Sequence, residues 1–109
     1  MTAADSGIPI ACNLDAFSAS ERERHASLLQ KLGGRILERR ELSDGYAFRF
    51  AAEAGAIAEL AEWIGLERMC CPFLRFSVEV EPNGGPVWLK LTGGAQVKAF
   101  VGSAFRALR

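Results

Sequence analysis

Cys70 and Cys71 are adjacent, and Pro72 and Phe73 follow them directly. Neighbouring thiolates are soft donors that hold thiophilic ions or exchange disulfides. Proline pushes the residue before it out of the helical region, so the doublet is predicted to close a helix at a sharp corner. A disulfide between adjacent cysteines would close a strained ring. Sharing one soft ion, such as Hg(II), As(III), Cu(I) or Zn(II), carries no such strain. A third sulfur would complete a trigonal site, and Cys12 is the only other cysteine. It follows Ile8-Pro9-Ile10-Ala11, an extended-looking run that reads as an edge strand or as a strap over the helix end.

The residues around the doublet sharpen this reading. If the helix persists through its last turn, Cys70 shares a side with Trp63 and Glu67, while Cys71 follows Ile64. Trp63 would then shield a site from water. Glu67 would accept a proton or cap a metal, although a helix carboxylate is more commonly solvated. The helix C-terminus carries partial negative charge, which disfavours thiolates, and Arg68 and Arg75 are the nearby cations that would offset it.

Two other readings stand beside ion binding. In one, the doublet serves a thiol redox enzyme or sensor, one cysteine attacking and another resolving. In the other, the cysteines are packing residues of an interaction module, since unpaired cysteine is among the most buried residue types. His25, the only histidine, is spaced with Leu28, Leu29 and Leu32 and reads as a core residue of a helix's apolar side. No Ser-His-Asp set, persuasive carboxylate pair or nucleotide loop is present, and Gly93-Gly94 reads as a helix start. The expectation is a binding protein rather than an enzyme, with no organic cofactor.

The elements that must position these residues follow from periodicity. Ser18-Ala19-Ser20-Glu21 has the spacing of a capping box, and the helix it opens carries the three leucines to Gly33-Gly34. Runs 35–42 and 46–50 flank Ser43-Asp44-Gly45, a hairpin signal, with Tyr46, Phe48 and Phe50 on one face. A second helix spans about 54–70, with Ile57, Leu60, Ala61 and Ile64 as its expected core stripe. Phe76, Val78 and Val80 alternate with polar residues in an expected half-buried strand. After Pro82-Asn83-Gly84-Gly85-Pro86, residues 87–91 return as its partner. The last helix begins near Gly94, with Val97, Phe100, Val101, Ala104 and Leu108 expected inside. The reading is a single α+β domain over 1–109, with 1–12 as leader or edge segment. It is a two-layer αββαββα arrangement with helices on a four-stranded, mainly antiparallel sheet. An exposed hairpin edge would suit pairing with a second copy, a homodimer.

Bulk properties bound the function classes. At 109 residues the chain can bury a core without staples. Lys and Arg number 13, as do Asp and Glu, so no net field favours nucleic acid, and no direct nucleic-acid binding is expected. Three cysteines do not make a secreted disulfide framework. Residues 1–10 lack a basic start and a long apolar run, so Ile10-Ala11-Cys12 is a weak lipoprotein signal, and no stretch approaches a membrane span. The expected location is cytoplasmic.

Glu67-Arg68-Met69-Cys70-Cys71-Pro72-Phe73-Leu74-Arg75-Phe76 resembles the signature of a family of small bacterial proteins, in which a helix ends in E-x-x-C-C and an F-x-x-F strand follows. The flanks are similar as well: Cys12-Asn13-Leu14, an arginine-rich first helix, Asp44-Gly45-Tyr46 and Leu91-Thr92-Gly93. Leu74 departs from the pattern, where a second aromatic is frequent. Members stand alone or are attached to regulators resembling the mercury-resistance type. The resemblance therefore implies a heavy-metal or thiol-stress setting, a partner regulator, and a thiol set of Cys12, Cys70 and Cys71 beside Glu67.

Overall fold

Ser18 closes the capping box that its spacing predicts. Its Oγ accepts from the Glu21 amide at 3.2 Å, and Glu21 Oε1 accepts from the Ser18 amide at 2.9 Å. Two orphan donors at the helix start are thereby satisfied. The computed structural model describes residues 13–51, 53 and 55–104. A 3-10 turn (Leu14–Ala16) leads into α1 (Ala19–Gly33), β1 (Ile36–Leu42), β2 (Gly45–Phe50), α2 (Ala56–Cys70), β3 (Arg75–Val80), β4 (Val87–Thr92) and α3 (Ala95–Ala104). The expected α+β order and the four-stranded antiparallel sheet are both present. No helix among the described residues is long and apolar enough to cross a membrane.

The strands lie in the order β1-β2-β4-β3, so the second hairpin inserts its return strand against β2. Tyr46, Phe48 and Phe50 stand opposite Leu91, Leu89 and Val87, which makes one continuous apolar face. Leu28 and Leu32 of α1 and Leu60 and Trp63 of α2 are buried against it. Each such side chain contributes about 1.5–3 kcal/mol through the surface it removes from water. Gly45 permits the close approach of β2 to β4, because a Cβ there would overlap the Leu91 carbonyl oxygen. At the other end α3 buries Val97 and Val101 and lies against the Tyr46 hydroxyl at Gly102.

Four expectations are corrected. Helix α2 starts at Ala56, after Gly55 in the left-handed region at φ 84°, rather than near residue 54. Its buried stripe is Ala56, Leu60, Trp63, Glu67 and Cys70, whereas Ile57 and Ala61 face solvent and Ile64 is half-buried. The helix is turned so that Trp63 meets Phe76 edge-on, with ring centroids 6.1 Å apart, and this turn carries a carboxylate inward. Strand β3 is not half-buried along its length: Phe76 is partly covered, but Val78 and Val80 are exposed because β3 lies at the sheet edge beyond the helices. In α3, Phe100 is half-buried, packed against the edge of the core and against Phe73, and Ala104, the last helical residue, is exposed. Leu108 lies outside the described residues.

Candidate metal centre

The site forms where α2 ends. Cys70 is the last helical residue and Cys71 is its C-cap, at φ −129° and ψ 68°, the non-helical geometry that Pro72 imposes. The Cys71 amide still donates to the Glu67 carbonyl at 2.7 Å, and the Leu74 amide donates to the Cys71 carbonyl at 3.2 Å. Phe73 packs edge-on against Phe100 at 5.0 Å, which ties the corner to α3. Both cysteines are fully buried, and their Sγ atoms are 3.6 Å apart.

Glu67, one turn before Cys70, is the finding that most changes the reading. Read as a candidate to accept a proton or cap a metal, against the commoner solvated carboxylate, it is only 1% exposed, because it continues the stripe that Leu60 and Trp63 drive into the core. Its Oε1 accepts from Cys70 Sγ at 3.5 Å and lies 2.5 Å from His25 Nε2. Oε2 has no hydrogen-bond partner among the described residues. Leaving a buried carboxylate oxygen in that state costs about 1–3 kcal/mol. His25 reaches this point because its spacing to Leu28 and Leu32 puts it on the inner side of α1, and the Phe17 ring packs against it, tilted by 39° with centroids 4.9 Å apart.

His25, Glu67 and Cys70 each offer one donor atom within 4.8 Å of the others, and all three are buried. Nitrogen, oxygen and sulfur donors at that spacing could hold a metal ion, with Cys71 Sγ at the side of Cys70. The negative pole of α2 points at the same place and favours a cation there. A chain segment also crosses the helix end: the Asn13 amide donates to the Cys70 carbonyl at 2.8 Å, and the 3-10 turn follows at once.

The expected site residues divide. Cys70, Cys71, Glu67 and Trp63 are gathered at the corner, with Trp63 buried on the same helix stripe. Arg68 and Arg75 are exposed and make no ion pair among the described residues. Cys12 lies outside the described residues. His25 was read as a packing residue. Its helical spacing did signal the inward face, but the meeting of α1 with α2 that makes it a site residue is a tertiary fact.

No protein-family model, curated protein or solved structure matches the chain, so the functional reading rests on the geometry of the site.

Proposed function

We propose that this protein binds a thiophilic metal or metalloid ion at the buried corner, as a binding or sensing protein and not as an enzyme. Cys70 and Cys71 supply two thiolates and Cys12 the third. Glu67 is the fourth donor for an ion that takes one, such as Zn(II), and His25 holds its carboxylate in place from behind. The observation that carries this reading is the 3.6 Å separation of the two sulfurs next to a buried carboxylate.

With sulfur–ion bonds of about 2.3 Å, that separation gives an angle near the ion of about 103°, which suits tetrahedral or pyramidal coordination. A linear two-sulfur site would hold the sulfurs about 4.6 Å apart. Pyramidal As(III) and tetrahedral Zn(II) are therefore favoured over linear Cu(I), and a planar three-sulfur Hg(II) site would need the two sulfurs to part to about 4 Å. Cys12 is one peptide unit from Asn13, whose amide is bonded to Cys70, and this supports its membership. An ion also answers the electrostatics of the corner. A carboxylate beside a thiolate is unfavourable unless a cation lies between them.

The order of groups speaks against a redox or nucleophilic enzyme. A thiol activated by histidine needs the imidazole beside the sulfur, whereas here the carboxylate stands between Cys70 and His25. A cytoplasmic heavy-metal or thiol-stress role beside a partner regulator belongs to the same proposal, supported by the resemblance of the cysteine motif.

The test is anaerobic titration with Hg(II), As(III) and Zn(II), following thiolate-to-metal absorbance. Wild type should take one ion per chain with a three-sulfur signal. Cys12→Ser should fall to a weaker two-sulfur signal, and Cys70→Ser or Cys71→Ser should weaken binding at least a hundredfold. No binding by reduced wild type would remove the proposal, and a peroxide-formed disulfide in its place would install the redox reading.

A further inference from the structure

The two edges of the sheet are built differently. Strand β1 is protected against further pairing in the ways edge strands commonly are. Its register against β2 shifts between Ile36 and Glu38, which breaks the regularity of the edge. Its charges are engaged: Glu38 pairs with Arg40 and Arg49, Glu41 with Lys98, and the Arg39 and Arg40 guanidinium groups lie over the Tyr46 and Trp88 rings.

Strand β3 has none of this. It runs in unbroken register with β4. Val78 and Val80 stand opposite Leu89 and Val87 on the apolar face, yet they are 44% and 54% exposed. Arg75 and Glu79 on the other face are exposed and unpaired among the described residues, although most charges on β1 and β2 have partners.

The sequence of β3 is complementary to itself. An antiparallel partner that keeps both apolar faces on the same side must pair even-numbered residues with even and odd with odd, since side chains alternate. A two-fold axis at Ser77 then sets Arg75 of one copy opposite Glu79 of the other, twice, and Phe76 opposite Val78, twice. An axis at Val78 would instead put Glu79 opposite Ser77 and bring Arg75 opposite Glu81, one residue beyond β3, so that the pairing of Glu79 distinguishes the two registers. We propose that β3 is the seam of a symmetric homodimer, in which two copies pair their β3 strands about Ser77 into one eight-stranded sheet. Main-chain hydrogen bonds complete the open edge, the valines join a continuous apolar face, and the Arg75–Glu79 pairs fix the register. This interface is independent of ion binding at the cysteine corner.

Sedimentation velocity on the full chain, reduced and without added metal, tests it through charge reversal. Wild type should be a dimer in the micromolar range. Glu79→Arg places like charges opposite each other at both ends of the seam and should raise the dimer dissociation constant at least tenfold. Arg75→Glu should do the same. The double variant Arg75→Glu/Glu79→Arg restores opposite charges and should return the constant to within about threefold of wild type. Far-ultraviolet circular dichroism checks that each variant is folded. A wild type that stays monomeric at several hundred micromolar would overturn the proposal, as it would if the edge were covered by another segment or another protein. A dimer indifferent to Glu79→Arg, or a double variant no better than the singles, would overturn the register and the seam with it.

Discussion

Glu67 Oε1 and His25 Nε2 lie 2.5 Å apart, although 42 residues separate them along the chain. The contact joins α1 to α2 inside the core, and Cys70 hangs from the same carboxylate oxygen. A pair of this kind is expensive to break from one side. The remaining buried group loses a hydrogen bond without regaining water.

His25→Leu is therefore expected to cost about 1–3 kcal/mol of stability in the metal-free protein, because it leaves the buried Glu67 Oε1 with Cys70 Sγ as its hydrogen-bond partner among the described residues. The double variant His25→Leu/Glu67→Leu removes both polar groups and should recover part of that loss, so that the two single losses are not additive. Urea unfolding of the wild type, both singles and the double gives the cycle. Additive losses would mean that the two side chains do not act as a pair.

Ion pairs on the solvent side clamp the same two helices. Arg24 makes two bonds of 2.7 Å to Glu62, and Arg35 and Lys31 reach Glu59. The Arg24 hydrogen bonds hold the Glu62 carboxyl below its ordinary 4.5, and the Arg35 hydrogen bond does the same for Glu59. A carboxyl depressed on folding stabilises the fold fully above its ordinary value, and that contribution fades as pH falls from there through the lower folded value. Melting temperatures of wild type and Glu59→Gln/Glu62→Gln should differ at pH 7 and converge as pH falls from 4.5 through the lower folded values, where wild type loses the same contacts. A constant gap across that range would show that the charges do not hold the helices.

Much of the fold was legible because its signals are local. The capping box at Ser18, the Ser43-Asp44-Gly45 turn and the stop at Pro72 each depend on a few neighbouring residues, and each is found where the spacing put it. The side of α2 that turns inward was not legible. The stripe of Ile57, Leu60, Ala61 and Ile64 and the stripe of Ala56, Leu60, Trp63, Glu67 and Cys70 share Leu60, and the second contains a carboxylate that apolar periodicity rejects. Only the arrival of His25 from α1 makes that burial tolerable. The exposure of Val78 and Val80 was hidden for a similar reason, since alternation reveals which face is apolar but not whether a helix reaches it. For the site, Cys70 and Cys71 were legible as a pair, and their junction with His25 was not.

X-ray absorption spectroscopy on the protein loaded with one Zn(II) per chain tests the ion site most directly. The expected spectrum has a dominant sulfur shell near 2.3 Å from three thiolates and one oxygen or nitrogen donor near 2.0–2.2 Å, with the sulfur count falling to two in Cys12→Ser and the light-atom donor lost in Glu67→Ala. A zinc ion surrounded only by oxygen and nitrogen, unchanged in Cys70→Ser, would place the metal elsewhere on the protein and contradict the site at the end of α2.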